Sequence, residues 1–313
     1  MATILITHGI PTAGLEILAD HEIIMPAPLA AYSMDELRTL IPQVHAVIAG
    51  GRLPGDVIRA GKKLRIIANY GAGYDSVDIA AAAECGVPVT NIPDSVTDST
   101  AELAIGLMLA VSRRIGEMNL RLRRENSAEL FGMGRYMGNT LRGRTLGVIG
   151  CGRIGTRTAE MAKALGMKVL VHSRHPVSGS VGENADLPAL LSRADVVTLH
   201  CPLTDSTRGM MDASAFAAMK PGAILINTAR GGIVDHAALA EALRSGRLAG
   251  AGLDVYPDEP RIPQDILALD NVVCTPHVGA NTAQTRAVMA EACARQILDV
   301  LAGKRPENIV NGL

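Results

Sequence analysis

Two doubly wound α/β domains, each built on a parallel sheet, are the fold class this sequence predicts, and three observations predict it. Short apolar, β-branched runs alternate with helix-period stretches along nearly all of the 313 residues. The alternation breaks once, after about Ser99, for a long helical stretch, and then resumes. Glycine is abundant, at 32 residues, as a fold with many tight strand-to-helix turns requires.

In the first half, strands are predicted at Thr3–Ile6, Ile23–Ile24, Ala46–Ile48, Arg65–Ala68 and Val87–Val89. Helical periodicity lies between them at Gly14–Ala19 and Ser33–Ile41, the latter opened by the capping box Ser33-x-x-Glu36. Five short strands with four intervening helices imply a parallel sheet covered on both faces. Ser99 with Glu102 reads as a second capping box, and the helical stretch behind it is expected to reach about Asn126. A Gly- and Met-rich loop, Phe131-Gly-Met-Gly-Arg-Tyr-Met-Gly138, follows. The second series of strands is predicted at Thr145–Ile149, Lys168–His172, Val196–His200, Ala223–Asn227, Ala249–Val255 and Asn271–Cys274. Helices at Arg153–Leu165 and Asp235–Ser245 separate some of these, and a last helix, Thr282–Ala302, stops at Gly303 with Pro306 beyond. The expected division is a first domain over 1–98, completed by 288–313, and a second over 99–287.

Composition narrows the function. Thirty Lys and Arg against 31 Asp and Glu leave a formal charge of −1, which disfavours nucleic acid and gives a membrane surface nothing to hold. Aromatics are only 2%, with no Trp and two Phe, so base-stacking platforms are absent and the core must be aliphatic. The five cysteines (85, 151, 201, 274, 293) are odd in number and form no CxxC, which reads as small buried hydrophobes in a reducing compartment, with no metal site. The N-terminus lacks a signal peptide's basic region, and the longest apolar run, Leu103–Val111, is too short to span a bilayer. A soluble, cytoplasmic protein is expected.

The sharpest motif is Gly150-Cys-Gly152-Arg-Ile-Gly155, directly after one predicted strand and opening a helix. In that setting the first glycine permits the turn, the second admits a pyrophosphate and the third lets helix pack on strand. The phosphates then meet the helix N-terminus, where unpaired N–H groups favour anions. Gly71-Ala-Gly73-Tyr-Asp-Ser76 is a decoy, with Ser76 where the third glycine belongs. Gly55 and Gly61-Lys62 miss P-loop spacing by one residue, and Lys63 stands where Ser or Thr is needed.

The next strand ends Val169-Leu-Val-His172-Ser173-Arg174-His175, without the carboxylate that grips a ribose 2′-OH. Ser173 leaves room for a 2′-phosphate, and Arg174 offers it a charged fork, so NADP(H) is preferred over NAD(H). The plainer alternative is a solvated loop with a chance arginine. Three more polar segments fall at strand ends, where open α/β sheets bind ligands. They are Asn227-Thr-Ala-Arg230, Asp254-Val-Tyr-Pro-Asp-Glu259 and Thr275-Pro-His277. Arg230, Glu259 and His277 together supply an anion clamp, a carboxylate and a group that carries a proton near pH 7. Any one of them alone could be structural; three at three strand ends are harder to dismiss.

As an ordered set, Gly150–Gly155, Asn227–Gly232, Gly252-Leu-Asp254-Val, Glu259-Pro and Pro276-His277 resemble the D-isomer-specific 2-hydroxyacid dehydrogenases. The likeness extends to Gly71–Asp78 and Val96-Thr97-Asp98, and so covers nearly the whole chain. It implies that Arg230 binds the substrate's carboxylate and carbonyl and that His277 is the acid/base, oriented by Glu259. It implies that backbone at Ala72 and Gly73 receives the carboxylate and that Asp254 contacts the nicotinamide end. Thr97, Arg153, Ile154, Cys201, Pro202, Thr207, Thr228, Ala229 and Gly279 would also line the cofactor. A flavodoxin-like substrate domain holding an inserted Rossmann cofactor domain, and a homodimer built through the region after Ser99, are implied in the same way. The aromatic that many members place before the second domain is here Tyr136 or Phe131, not Trp. The cluster Arg113, Arg114, Arg121, Arg123 and Arg124 reads as a solvated helix face or dimer salt bridges.

The expected activity is NADPH-dependent reduction of a small 2-keto acid, with glyoxylate and hydroxypyruvate favoured, to the D-2-hydroxy acid. Reduction of 2-ketogluconate, a D-3-phosphoglycerate dehydrogenase-like reaction, phosphite or formate oxidation, and a non-enzymatic NAD(P)-sensing scaffold are the alternatives.

Overall fold

The computed structural model describes residues 1–125 and 127–313, and the chain divides into two units, Met1–Val96 with Ala280–Leu313, and Thr97–Gly279. In chain order the first unit runs β1 (Thr3–Ile6), β2 (Glu22–Ile24), α1 (Met34–Leu40), β3 (Ala46–Ala49), α2 (Gly55–Ala60), β4 (Ile66–Asn69), α3 (Ile79–Glu84) and β5 (Val89–Thr90). The second runs α4 (Thr97–Ser112), α5 (Ile115–Glu125), β6 (Thr145–Ile149), α6 (Arg153–Ala164), β7 (Lys168–His172), β8 (Glu183–Asn184) and α7 (Leu187–Arg193). It continues with β9 (Val196–Leu199), α8 (Ala213–Ala218), β10 (Ala223–Asn227), α9 (His236–Arg244), β11 (Leu248–Leu253), α10 (Gln264–Leu267) and β12 (Val272–Cys274). Helix α11 (Ala283–Leu301) belongs to the first unit.

Both sheets are parallel throughout their described pairings, and both are doubly wound. The first has the order β2-β1-β3-β4-β5, the flavodoxin-like arrangement. The second, β12-β11-β10-β9-β6-β7-β8, is the Rossmann order, with its reversal between β6 and β9. Strand residues bury alternately on the two faces, as the two-residue period dictates. In the second unit Val148, Val171, Val196 and Ile226 pack with α4 and α6 residues such as Leu107 and Ala159. Leu170, Val197, Leu199, Leu225 and Leu253 pack with Leu190, Phe216 and Leu239 on the other side. The aliphatic core anticipated from composition is present in the first unit too, around Leu5, Val47, Ile67 and Val89.

Differences from the sequence reading have local causes. Helix α4 begins at Thr97, so Ser99 is buried inside it and does not cap it with Glu102. The long helical stretch is two helices, because Arg114 turns to a left-handed φ of 53° between them; the expected end at Asn126 lies outside the described residues. Gly14–Ala19 yields only a 3₁₀ turn, Glu16–Leu18, too few residues for an α-helical face. The capping box at Ser33 and Glu36 is formed on both sides. The units divide at 279/280 where the sequence placed the crossing near 287, because α11 starts at Ala283, capped by Thr282, and packs against β4. Among the described residues no helix is long and apolar enough to cross a membrane.

Candidate active site

The turn after β6 is shaped for phosphate. Gly150 holds φ at 89°, and a Cβ there would come within 2.4 Å of the Cys201 nitrogen. A Cβ on Gly155 would meet the Gly150 carbonyl oxygen at 2.1 Å, so α6 packs on β6 only with glycine there. Gly152 differs: its missing Cβ would meet nothing within 4 Å, and as N-cap of α6 it contributes no side-chain cap. Open space in front of a helix N-terminus is what a pyrophosphate needs. On the same sheet Thr228 carries a buried hydroxyl with no hydrogen-bond partner. These two observations fit a dinucleotide. Thr97 opens α4, which is tied to α6 by Arg157 and Asp98 at 2.7 Å. The Cys201-Pro202 turn is fixed by Thr207, whose hydroxyl donates to the Pro202 carbonyl at 2.7 Å.

At the end of β7, Ser173 donates its hydroxyl proton to the carbonyl of His175, and the Arg174 side chain stands exposed. No carboxylate occupies the strand end, as the sequence indicated.

The ends of β10, β11 and β12 carry a dense polar network. Asn227, fully buried, accepts from the Ala229 amide at 3.0 Å and donates to the Arg230 carbonyl at 2.9 Å, fixing the turn that presents Arg230. Gly231 follows, and a Cβ on it would lie 2.0 Å from the Tyr256 carbonyl carbon. The Arg230 segment is therefore pressed directly onto the segment that carries Glu259. Glu259 accepts from the Tyr256 amide at 3.0 Å through one oxygen and meets His277 Nδ1 at 2.7 Å through the other. Burial pushes the Glu259 carboxyl up, but the bonds from His277 and Tyr256 and the charges of His277 and Arg230 outweigh it, leaving it below the usual carboxylate range. An ionised Glu259 only accepts, so Nδ1 is the ring nitrogen that donates to it.

His277 itself sits at a left-handed φ of 53°, a strained conformation for a residue with a Cβ. Asp254 holds it there. That carboxylate, 1% exposed, accepts from Thr275 Oγ1 at 2.6 Å, Val278 N at 2.8 Å and Gly279 N at 2.9 Å. Its own carbonyl accepts from the His277 amide at 2.8 Å. Tyr256 adds a hydroxyl 3.1 Å from the Leu253 carbonyl and 3.0 Å from that of Thr275, and burial pushes its pKa up. Asn227, Gly231, Tyr256 and Thr275 were not singled out from sequence as site residues. All four stand in the quoted motifs, but only contact geometry reveals their role. Ala72 and Gly73 lie in the first unit, in the turn after β4.

Of the basic cluster, Arg113, Arg123 and Arg124 are exposed, as on a solvated face, whereas Arg114 and Arg121 are half-buried. Arg114 and Arg121 both bind the buried carboxylate of Glu117, at 2.7 and 3.0 Å, and both flank the Tyr136 ring, at 5.4 and 5.2 Å. Phe131 and Met133 nearby are 78% and 103% exposed.

Comparison with known proteins identifies the family. The family profile described as D-isomer specific 2-hydroxyacid dehydrogenase, NAD binding domain, matches residues 105–279. The chain is 38% identical to a glyoxylate reductase of Thermococcus litoralis, over 98% of this chain and 96% of that one. It is 42% identical to a hydroxypyruvate reductase of Thermotoga maritima, over 80% of this chain and 83% of that one. A D-3-phosphoglycerate dehydrogenase of Methanocaldococcus jannaschii is 38% identical over 99% of this chain, which spans 60% of that protein's length. Among solved structures, an NADPH-dependent glyoxylate/hydroxypyruvate reductase from Sinorhizobium meliloti, in complex with NADP and malonate, is similar. Its TM-score is 0.86 at 33% identity, over 99% of this chain and 96% of that one.

Proposed function

The chain belongs to the D-isomer specific 2-hydroxyacid dehydrogenases, NAD(P)-dependent oxidoreductases, and on that premise we propose that it reduces glyoxylate and hydroxypyruvate with NADPH. The observation that carries the reading is the 2.7 Å Glu259–His277 pair on the segment pressed against Arg230. A bound nicotinamide supplies hydride to the keto carbon. His277 Nε2 gives the proton that the developing alkoxide takes up, and Glu259 keeps the ring oriented and stabilises its positive charge. Arg230 binds the carboxylate and polarises the carbonyl through charge-assisted hydrogen bonds, each contributing about 1.5–3 kcal/mol. Backbone at Ala72 and Gly73 receives the carboxylate. Thr97, Gly150, Gly152, Arg153, Ile154, Gly155, Cys201, Pro202, Thr207, Thr228, Ala229, Asp254 and Gly279 hold or face the dinucleotide.

NADPH is favoured because Arg174 offers a 2′-phosphate a charged fork, Ser173 leaves room for it, and no carboxylate repels it. A homodimer is supported by the exposed apolar side chains of Ile115, Leu120, Leu122, Phe131, Met133 and Met137, crowded into one stretch of the second unit. Light scattering at micromolar concentration checks it, and a monomer there overturns it. A second reading, reduction of 3-phosphohydroxypyruvate, is favoured by the Methanocaldococcus relative. Steady-state assays of a panel of 2-keto acids, that one included, with NADH and NADPH decide between them. No turnover of any panel member sinks both.

A further inference from the structure

Three successive carbonyls in the turn after β4 are tied down by side-chain amides. Asn69, 3% exposed, donates from Nδ2 to the carbonyls of Gly71 and Gly73, each at 2.9 Å. Asn91, 8% exposed and just past β5, donates from Nδ2 to the Ala72 carbonyl at 2.7 Å. Asn91 is itself anchored, its carbonyl accepting from Gln296 Nε2 of α11 at 3.0 Å, while Thr90 donates to Gln296 Oε1 at 2.7 Å. The whole relay is buried. In a trans peptide, C=O and N–H point to opposite sides. With the carbonyls of residues 71, 72 and 73 held inward, the N–H groups of Ala72, Gly73 and Tyr74 face away from the asparagines. Ala72 is half-buried there, and Gly73 and Tyr74 are exposed.

We propose that Asn69 and Asn91, braced by Gln296, are positioning residues that aim the amides of Ala72, Gly73 and Tyr74 at the carboxylate of a 2-keto acid. This deepens the reductase reading and rests on it. Successive backbone donors are preorganised for an anion and cost no side-chain entropy when it binds. Neither asparagine touches substrate; each acts only by fixing which way the peptides turn.

The test is a split between substrate and cofactor parameters in Asn91→Ala and Asn69→Ser. For each, KM for glyoxylate and Ki for oxamate are expected to rise roughly 10–100-fold, the range for a misplaced polar contact. At saturating glyoxylate kcat should stay within about threefold, and the NADPH dissociation constant, read by fluorescence titration, within about twofold. The two variants are independent, so either one, folded by circular dichroism, gives the reading. A folded variant with unmoved KM and Ki overturns the inference while leaving wild-type turnover intact. KM, kcat and NADPH affinity worsening together also overturn it, since that marks general loosening. Wild-type protein that turns over no 2-keto acid sinks the parent reading, and this one with it.

Discussion

The end of β7 and the ends of β10–β12 belong to one sheet and face one expected cofactor, yet they are built in opposite ways. At β10–β12 most polar atoms are engaged: Asp254 accepts three bonds from the 275–279 turn, Asn227 accepts one from and donates one to the Arg230 turn, and Glu259 is engaged through each oxygen. Changing one member there leaves partners unsatisfied. At β7 the Ser173 hydroxyl merely bonds a neighbouring carbonyl and Arg174 lies in solvent. The residues proposed for the chemistry are thus held by bonds from buried Asn227 and Asp254, with Glu259 and His277 themselves exposed, whereas exchanging Ser173 or Arg174 disturbs little else.

The largest expected effect is at His277. His277→Ala should lower kcat by roughly 10²–10⁴-fold, the usual contribution of a positioned proton donor, with NADPH affinity nearly unchanged. A variant retaining most of its kcat would remove His277 from the mechanism. Gly231→Ala comes next. Its new methyl would overlap the Tyr256 carbonyl carbon at 2.0 Å, so the Arg230 and Glu259 segments must separate. A displacement near 1 Å costs about 10²-fold in kcat/KM; wild-type kinetics in this variant would show that the two segments need not touch.

The β7 end should respond more mildly and only toward cofactor. Ser173→Asp is expected to shift the NADPH/NADH ratio of kcat/KM toward NADH by roughly ten- to a hundredfold, about 1.4–3 kcal/mol. Arg174→Ala should raise KM for NADPH and spare NADH. Equal effects on both cofactors, or a wild-type preference for NADH, would refute the 2′-phosphate reading and erase the contrast between the two regions.

The smallest effect is on stability. His200, at the end of β9, is held neutral by burial, its pKa lowered to about 4 from the ordinary 6.5. The unfolded chain takes up this proton below pH 6.5 and the folded one only near 4. The site's stability is therefore intact above pH 6.5 and lost as pH falls toward 4, by at most about 3 kcal/mol. Urea melts of His200→Gln should show a shallower decline than wild type between pH 6.5 and 4.5; parallel declines would mean that His200 does not titrate with unfolding.

Much of this was legible from residue order. The glycine spacing at 150–155 is dictated by local sterics, so its place between β6 and α6 could be read directly. The Glu259–His277 pairing rested on family resemblance, since 18 residues of chain separate the partners and no periodicity joins them. Helix α4 was misjudged at its start because Ser99-x-x-Glu102 has the spacing of a cap, whereas burial on the sheet decides that the helix begins earlier.

By itself, then, the sequence determined what depends on neighbours along the chain: the strand and helix rhythm, the phosphate turn, the missing acid after β7 and the chemical types at the strand ends. Tertiary structure alone decided what depends on neighbours in space. Gly231 is required because Tyr256 backbone lies against it, and Asp254 serves the 275–279 turn because β11 and β12 are paired. Asn69 and Asn91 meet over one turn because β4 and β5 are adjacent. Hydrogen bonds and steric contacts act over a few ångströms, and only the folded sheet brings residues that distant in sequence within that reach.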